Sequence, residues 1–171
     1  MIYFDLDGVI RDLKTPLRGG DYPSKWEAKM PNGDDVLVYI TKNLHILKEA
    51  PVTEYFDVIK KYASKNNHIT IITRQLRDWR KFTNQWLDEH FENYTVIYVD
   101  RPQDKIKYIK PHDFLVEDFP KFEPWDYQRI ILIDRPYNES INDEFCFARV
   151  KKPEDLDCVL DEIYSNNLHL L

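Results

Sequence analysis

The chain has 171 residues, 43% of them hydrophobic, with a formal net charge of −6 and a pI near 5.4. That is the size of one ordinary domain able to bury its own core. The acidic balance argues against bulk nucleic-acid binding while leaving room for a single phosphate held locally, and no apolar run approaches the roughly 18 residues of a membrane span.

Met1 leads directly into a β-prone segment without the basic and apolar regions of a signal peptide, so a cytoplasmic protein, monomer or homodimer, is expected. Cys146 and Cys158 have no metal-ligand spacing and read as buried thiols in a reducing compartment. The five histidines, His45, His68, His90, His112 and His169, are scattered without ligand spacing as well.

In chain order, residues 2–7 are short, apolar and β-prone, and Gly8 ends them, which predicts a buried strand running into a tight turn. Residues 11–49 change character. Pro16, Gly19-Gly20, Pro23, Pro31 and Asn32-Gly33 break them up, and only 36–47 reads as helix. This stretch is expected to be a small cap inserted after the first strand, with 1–10 and 50–171 forming the core. Beyond Pro51 the alternation is regular: helix 53–64, strand 68–72, helix 76–91, strand 94–99, a short helix 104–109 and strand 114–116. Two more strands (129–133 and 145–150) and a closing helix 153–164 that begins with proline complete the pattern. Strands alternating with helices predict an α/β protein, a three-layer α/β/α, Rossmann-like parallel sheet, with ligands at the carboxyl ends of its strands.

Asp5-Leu6-Asp7-Gly8 carries the strongest chemical signal. Two carboxylates spaced two apart at the end of a strand can face one side, one to attack an electrophile and the other to move protons. A calcium loop counted from Asp5 would need glutamate at its twelfth position, which is Pro16. A plain Asp-Gly turn is the remaining bland reading.

Four motifs in order resemble the haloacid dehalogenase superfamily of phosphotransferases. They are Asp5-Leu-Asp-Gly-Val, Ile69-Thr-Ile-Ile-Thr73-Arg74, Lys105 ahead of a strand, and Phe114-Leu-Val-Glu117-Asp118. Leu47-Lys-Glu-Ala-Pro51, Trp86-Leu-Asp-Glu-His-Phe91 and Ile133-Asp-Arg-Pro-Tyr-Asn138 are further similar to signatures of its 5′(3′)-deoxyribonucleotidase group. The resemblance implies a phosphomonoesterase acting on (deoxy)nucleoside monophosphates through an aspartyl-phosphate. Asp5 would be the nucleophile and Asp7 the acid and base. Mg²⁺ would be held by Asp5, Asp118 and the main-chain carbonyl of Asp7, with Glu117 behind them, and Thr73, the Arg74 N–H and Lys105 would bind the phosphoryl oxygens. Taken singly, Thr73 reads better as a helix N-cap and Lys105 as a surface lysine. Tyr22, Trp26 and Tyr39 of the cap are candidates to stack on a base. A phosphatase for another small metabolite or a nucleic-acid 3′-phosphate stays open, as does a catalytically silent phosphate- or partner-binding module. The turn 134–138 reads as structural, bordering the pocket at most.

Overall fold

The computed structural model describes residues 1–168, with side chains to Ser165, so His169 lies outside the described residues. Six strands form one fully parallel sheet: β1 Ile2–Phe4, β2 Ile69–Arg74, β3 Tyr94–Val99, β4 Phe114–Glu117, β5 Ile130–Ile133 and β6 Ala148–Val150. Their spatial order is β3-β2-β1-β4-β5-β6. The central strands are nearly unbroken apolar runs, as strands buried on both faces must be. β1 is only three residues long, shorter than its apolar pattern, because the chain leaves the ladder after Phe4 and Asp5 makes one last bond, its N–H to the Val116 carbonyl at 2.9 Å.

The chain builds outward from β1 through β2 to β3, then crosses back to lay β4 on the other side of β1. The topological switch therefore falls between β1 and β4, where an open crevice forms beyond the strand ends. Right-handed crossovers put the two series of connections on opposite faces. On one face lie α4 Phe56–Asn66, α5 Arg80–His90 and α6 Pro153–Leu168. Their inward residues Phe56, Ile59, Trp86, Leu87, Leu156, Leu160 and Ile163 pack on Phe4, Ile71 and Ile133. The opposite face is covered by shorter segments, 3₁₀ turns at Pro102–Tyr108 and Asp126–Arg129 with Phe119 and Phe122, over Tyr3, Ile72, Leu115 and Leu132.

Residues 11–49 contain α1 Lys14–Arg18, α2 Val36–Lys42 and α3 His45–Glu49. The single helix expected over 36–47 is two helices. Asn43 leaves the helical region (φ −133°, ψ 54°), and its side-chain amide donates to the Tyr39 carbonyl at 2.9 Å, ending α2. Leu13, Leu17, Val36 and Ile40 gather on Leu47, Trp79 and Phe82 in a separate small core. This segment thus leans on the start of α5 and not on the sheet.

Other boundaries also moved. Leu76 is extended (ψ 151°), and a 3₁₀ turn Arg77–Trp79 precedes α5. The last strand begins at Ala148 and not 145, because Asp143–Phe145 forms a 3₁₀ turn capped by the Asn142 side chain. Cys158 is exposed and Cys146 half-buried, both free, which corrects the expectation of two buried thiols. On α6 the inward row is Leu156, Leu160 and Ile163, and Cys158 falls off that stripe. Among the described residues no helix is long and apolar enough to cross a membrane.

Candidate active site

At the switch point the register sets the site. Phe4 stands between Ile71 and Val116, so the next residue outward, Asp5, meets Glu117 on one side and the end of β2 on the other. Asp5, Glu117 and Asp118 each offer a carboxylate oxygen within 4.8 Å of the others, and all are buried. Lys105 reaches into this group from the 3₁₀ turn Pro102–Tyr108. Its Nζ lies 2.7 Å from Asp5 Oδ1 and donates to Glu117 Oε2 at 2.6 Å. With only 2% of its surface exposed, Lys105 is no surface lysine.

Each carboxylate has a different set of partners. Both oxygens of Glu117 are occupied, Oε2 by Lys105 and Oε1 by the backbone N–H groups of Asp118 and Phe119 at 3.1 and 3.2 Å. Asp118 Oδ2 accepts from the Tyr137 hydroxyl, while its Oδ1 is buried and accepts no hydrogen bond. Three carboxylates against one ammonium leave an excess of two negative charges if all ionise. Burial, with Glu117 close by, pushes the Asp5 carboxyl well above the usual range against the pull of Lys105. Burial and the Asp5 charge push Asp118 up to about 6. Lys105 is raised, since its two carboxylates outweigh the effect of burial.

Crowded hard oxygens, one of them unpartnered, suit a small divalent cation. Asp5 and Asp118 have lone pairs to offer it; three of the four on Glu117 are already taken. Gly8 makes the close approach possible. It sits at φ +89°, and a Cβ there would fall 2.0 Å from Asp118 Oδ2, so glycine is required both for backbone and for room.

The raised carboxyl of Asp118 makes a stability prediction. Unfolded Asp titrates near 4, so in chelator the folded protein loses stability as pH rises from about 4 through about 6, because it must ionise a buried group. Asp118→Asn removes that cost. In EDTA the variant is expected to be more stable than the natural protein by about 2 kcal/mol at pH 7.5, the gap closing toward pH 4. Urea unfolding at both pH values checks it. A variant less stable at pH 7.5 would contradict the burial cost.

Asp7 stands apart from the acidic group. Its Oδ1 accepts from Arg11 Nε at 2.7 Å and its Oδ2 from Gln75 Nε2 at 2.6 Å. Thr73 is 1% exposed and lies inside β2, paired with Tyr98, so it is a strand residue and not the N-cap of α5. Arg74 ends that strand, half-buried, its Nε 3.4 Å from the Asp100 carbonyl. Asp5, Asp7, Thr73, Arg74, Lys105, Glu117 and Asp118 all line one cavity of about 490 Å³.

Residues 11–49 supply the opposite wall. Leu13, Leu17, Tyr22, Trp26, Val36 and Ile40 line it together with Trp79. Trp26 stands edge-on to Phe119 and Tyr137, with centroids 5.2 and 5.1 Å away. The Tyr22 ring lies 4.2 Å from the Arg135 guanidinium and 4.3 Å from Lys14 Nζ, its hydroxyl buried without a partner. Tyr39 does not line the cavity, where α2 presents Val36, Leu37 and Ile40 instead.

Several residues around the cavity were given no role at the site from the sequence. The turn 134–138 does more than border the pocket: Tyr137 holds Asp118, Asn138 Nδ2 donates to the Asp118 and Ile133 carbonyls, and Arg135 Nη2 donates to the Gly8 carbonyl at 2.7 Å. Arg11 and Gln75 hold Asp7. The usable signal for Arg11 was its place beside Val9 and Ile10, both fully buried, where a solvated arginine does not belong.

The class these features define is an open, parallel α/β protein with a buried carboxylate–lysine cluster at its switch point. No family model matches the chain, and neither does any curated protein. Among solved structures it is similar to a HAD-superfamily hydrolase from Ehrlichia chaffeensis, at 11% identity and a TM-score of 0.47, over 95% of this chain and 96% of that one. At that identity and score the likeness decides nothing about chemistry.

Proposed function

We propose that the chain is a phosphomonoesterase of the haloacid dehalogenase type, hydrolysing small phosphate monoesters, (deoxy)nucleoside monophosphates foremost, with Mg²⁺. The observation that carries the reading is the convergence of Asp5, Asp7, Thr73, Arg74, Lys105 and Asp118, distant in sequence, on one cavity at the sheet's switch point. A silent binding module has no use for three buried carboxylates and an unpartnered Asp118 oxygen, whose burial costs stability.

In this reading Asp5 attacks phosphorus. The new Asp5–phosphorus bond forms as the ester oxygen departs, and that oxygen takes a proton from Asp7. Water then attacks the aspartyl-phosphate, gives its proton to Asp7, and the Asp5–phosphorus bond breaks to release phosphate. Thr73 Oγ1, the Arg74 N–H and the Lys105 ammonium bind the phosphoryl oxygens as charge moves among them. Asp5, Asp118 and the Asp7 carbonyl would hold Mg²⁺, whose charge lets two anions approach. The apolar cap wall with Trp26 and Tyr22 receives the alcohol portion.

The test is hydrolysis of p-nitrophenyl phosphate and a panel of nucleoside 5′- and 3′-monophosphates, each with Mg²⁺ and with EDTA. Metal-dependent release of phosphate, fastest on one nucleotide class, is expected. Silence on every ester with and without metal would leave the binding module as the better account.

A further inference from the structure

We infer that Arg11 and Gln75 are positioning residues for Asp7, gripping its two carboxylate oxygens so that the acid and base of the reaction cannot turn away from the departing alcohol. The inference rests on the role given to Asp7 under the proposed function.

An aspartate just past a strand end turns freely about two side-chain bonds, and few of its rotamers aim an oxygen at the ester. Here both are tied. Arg11 Nε donates to Oδ1 at 2.7 Å and Gln75 Nε2 to Oδ2 at 2.6 Å. The two donors come from different parts of the fold, Arg11 from the loop leading into the cap and Gln75 from the end of β2. Each is braced in turn. Arg11 Nη1 donates to the Leu47 carbonyl at 2.6 Å, and the Arg11 backbone is fixed by its N–H to the Leu6 carbonyl and its carbonyl to the Gly8 N–H. Thr83 of α5 closes the ring, its Oγ1 lying 3.4 Å from both Arg11 terminal nitrogens and from Gln75 Oε1. Arg11, Gln75 and Thr83 are all buried.

A buried arginine needs a counter-charge, and that need alone would account for the Asp7–Arg11 pair. It does not account for Gln75, a neutral amide with no charge to offset. Its donor goes to the oxygen that Arg11 leaves free. What two donors from two elements provide is a fixed orientation. One lone pair on each oxygen remains for substrate, and the Asp7 side chain keeps a quarter of its surface exposed, on the cavity.

Leaving groups separate positioning from mere support. A p-nitrophenolate departs with little help, whereas a benzyl alkoxide of similar shape needs its proton delivered. Gln75→Leu is expected to lower kcat/KM, which reports the first phosphoryl transfer and not the hydrolysis step that both esters share, roughly 10- to 100-fold more on benzyl phosphate than on p-nitrophenyl phosphate. Arg11→Met, where it folds, and Thr83→Val, more weakly, are expected to move in the same direction. Equal losses on the two esters in Gln75→Leu, or no loss on either, would overturn the positioning role and leave the phosphatase reading intact. A natural protein that hydrolyses neither ester would overturn both.

Discussion

Asp5→Asn is expected to lose on the order of 10³–10⁶-fold in kcat on p-nitrophenyl phosphate, because an amide cannot form the covalent bond to phosphorus. The same change should not weaken the fold. Asp5 is buried, its carboxyl is held well above its usual range by burial and by Glu117 against the pull of Lys105, and its charge in turn pushes Asp118 up. The change relieves a cluster that carries two excess negatives when all three carboxylates ionise, so the melting temperature in EDTA is expected to hold or rise. Loss of activity with retained stability is the signature of a group kept for chemistry and not for folding. A variant that keeps full activity would remove Asp5 from the reaction, whatever the metal does.

Lys105→Met should damage the fold and the site together. Among the described residues the ammonium is the one cation in contact with both Asp5 and Glu117, and none of the three groups is more than 5% exposed. Deleting one member of a buried ion cluster leaves its partners uncompensated, at a cost of about 3–5 kcal/mol. Chemical unfolding in EDTA at pH 7.5 checks this. Mg²⁺ is expected to recover part of the stability, since a divalent cation can replace some of the missing positive charge. Turnover should stay low with metal added, as Lys105 is also assigned to the phosphoryl oxygens. A Lys105→Met variant as stable as the natural protein would mean that the cluster is weaker than the geometry implies.

The two variants probe opposite signs of one electrostatic balance. Asp5→Asn takes away a negative charge from an acidic pocket; Lys105→Met takes away the ammonium that compensates Asp5 and Glu117. The balance itself follows from position. At the switch point two neighbouring strands, β1 and β4, end with acidic residues side by side, and the Gly8 turn clears the space that Asp118 fills.

Much of this could be read from the chain before its fold was known. The strands of the central sheet are apolar runs with sharp ends, and the polar residue after each end is what the crevice collects: Asp5 after β1, Thr73 and Arg74 closing β2, Glu117 and Asp118 at the end of β4. Local pattern was enough there. It was not enough for Arg11, Gln75 and Tyr137, whose partners lie 4, 68 and 19 residues away and are chosen by the way loops fold over one another. A run such as Ile133-Asp-Arg-Pro-Tyr-Asn138 reads as a turn because proline and asparagine make it one. That its tyrosine faces a carboxylate is a tertiary fact.

The cap shows the same boundary from another side. Aromatic residues could be named, but spacing within a broken segment does not say which face they occupy. Tyr22 and Trp26 line the cavity, and Tyr39, on a helix that ends at Lys42, does not. Helix ends behaved likewise. Asn43 stops α2 with its own side chain, a local competition that hydrophobic periodicity across 36–47 conceals.

The covalent step at Asp5 is the claim on which the rest depends, and it can be trapped. Turnover of p-nitrophenyl phosphate with Mg²⁺ is quenched in acid, any acyl phosphate is reduced with borohydride, and the digested chain is read by mass spectrometry. The account predicts homoserine at position 5, appearing only when substrate and metal were both present. Steady turnover with unmodified Asp5, or with the reduced residue at any other carboxylate, would contradict it.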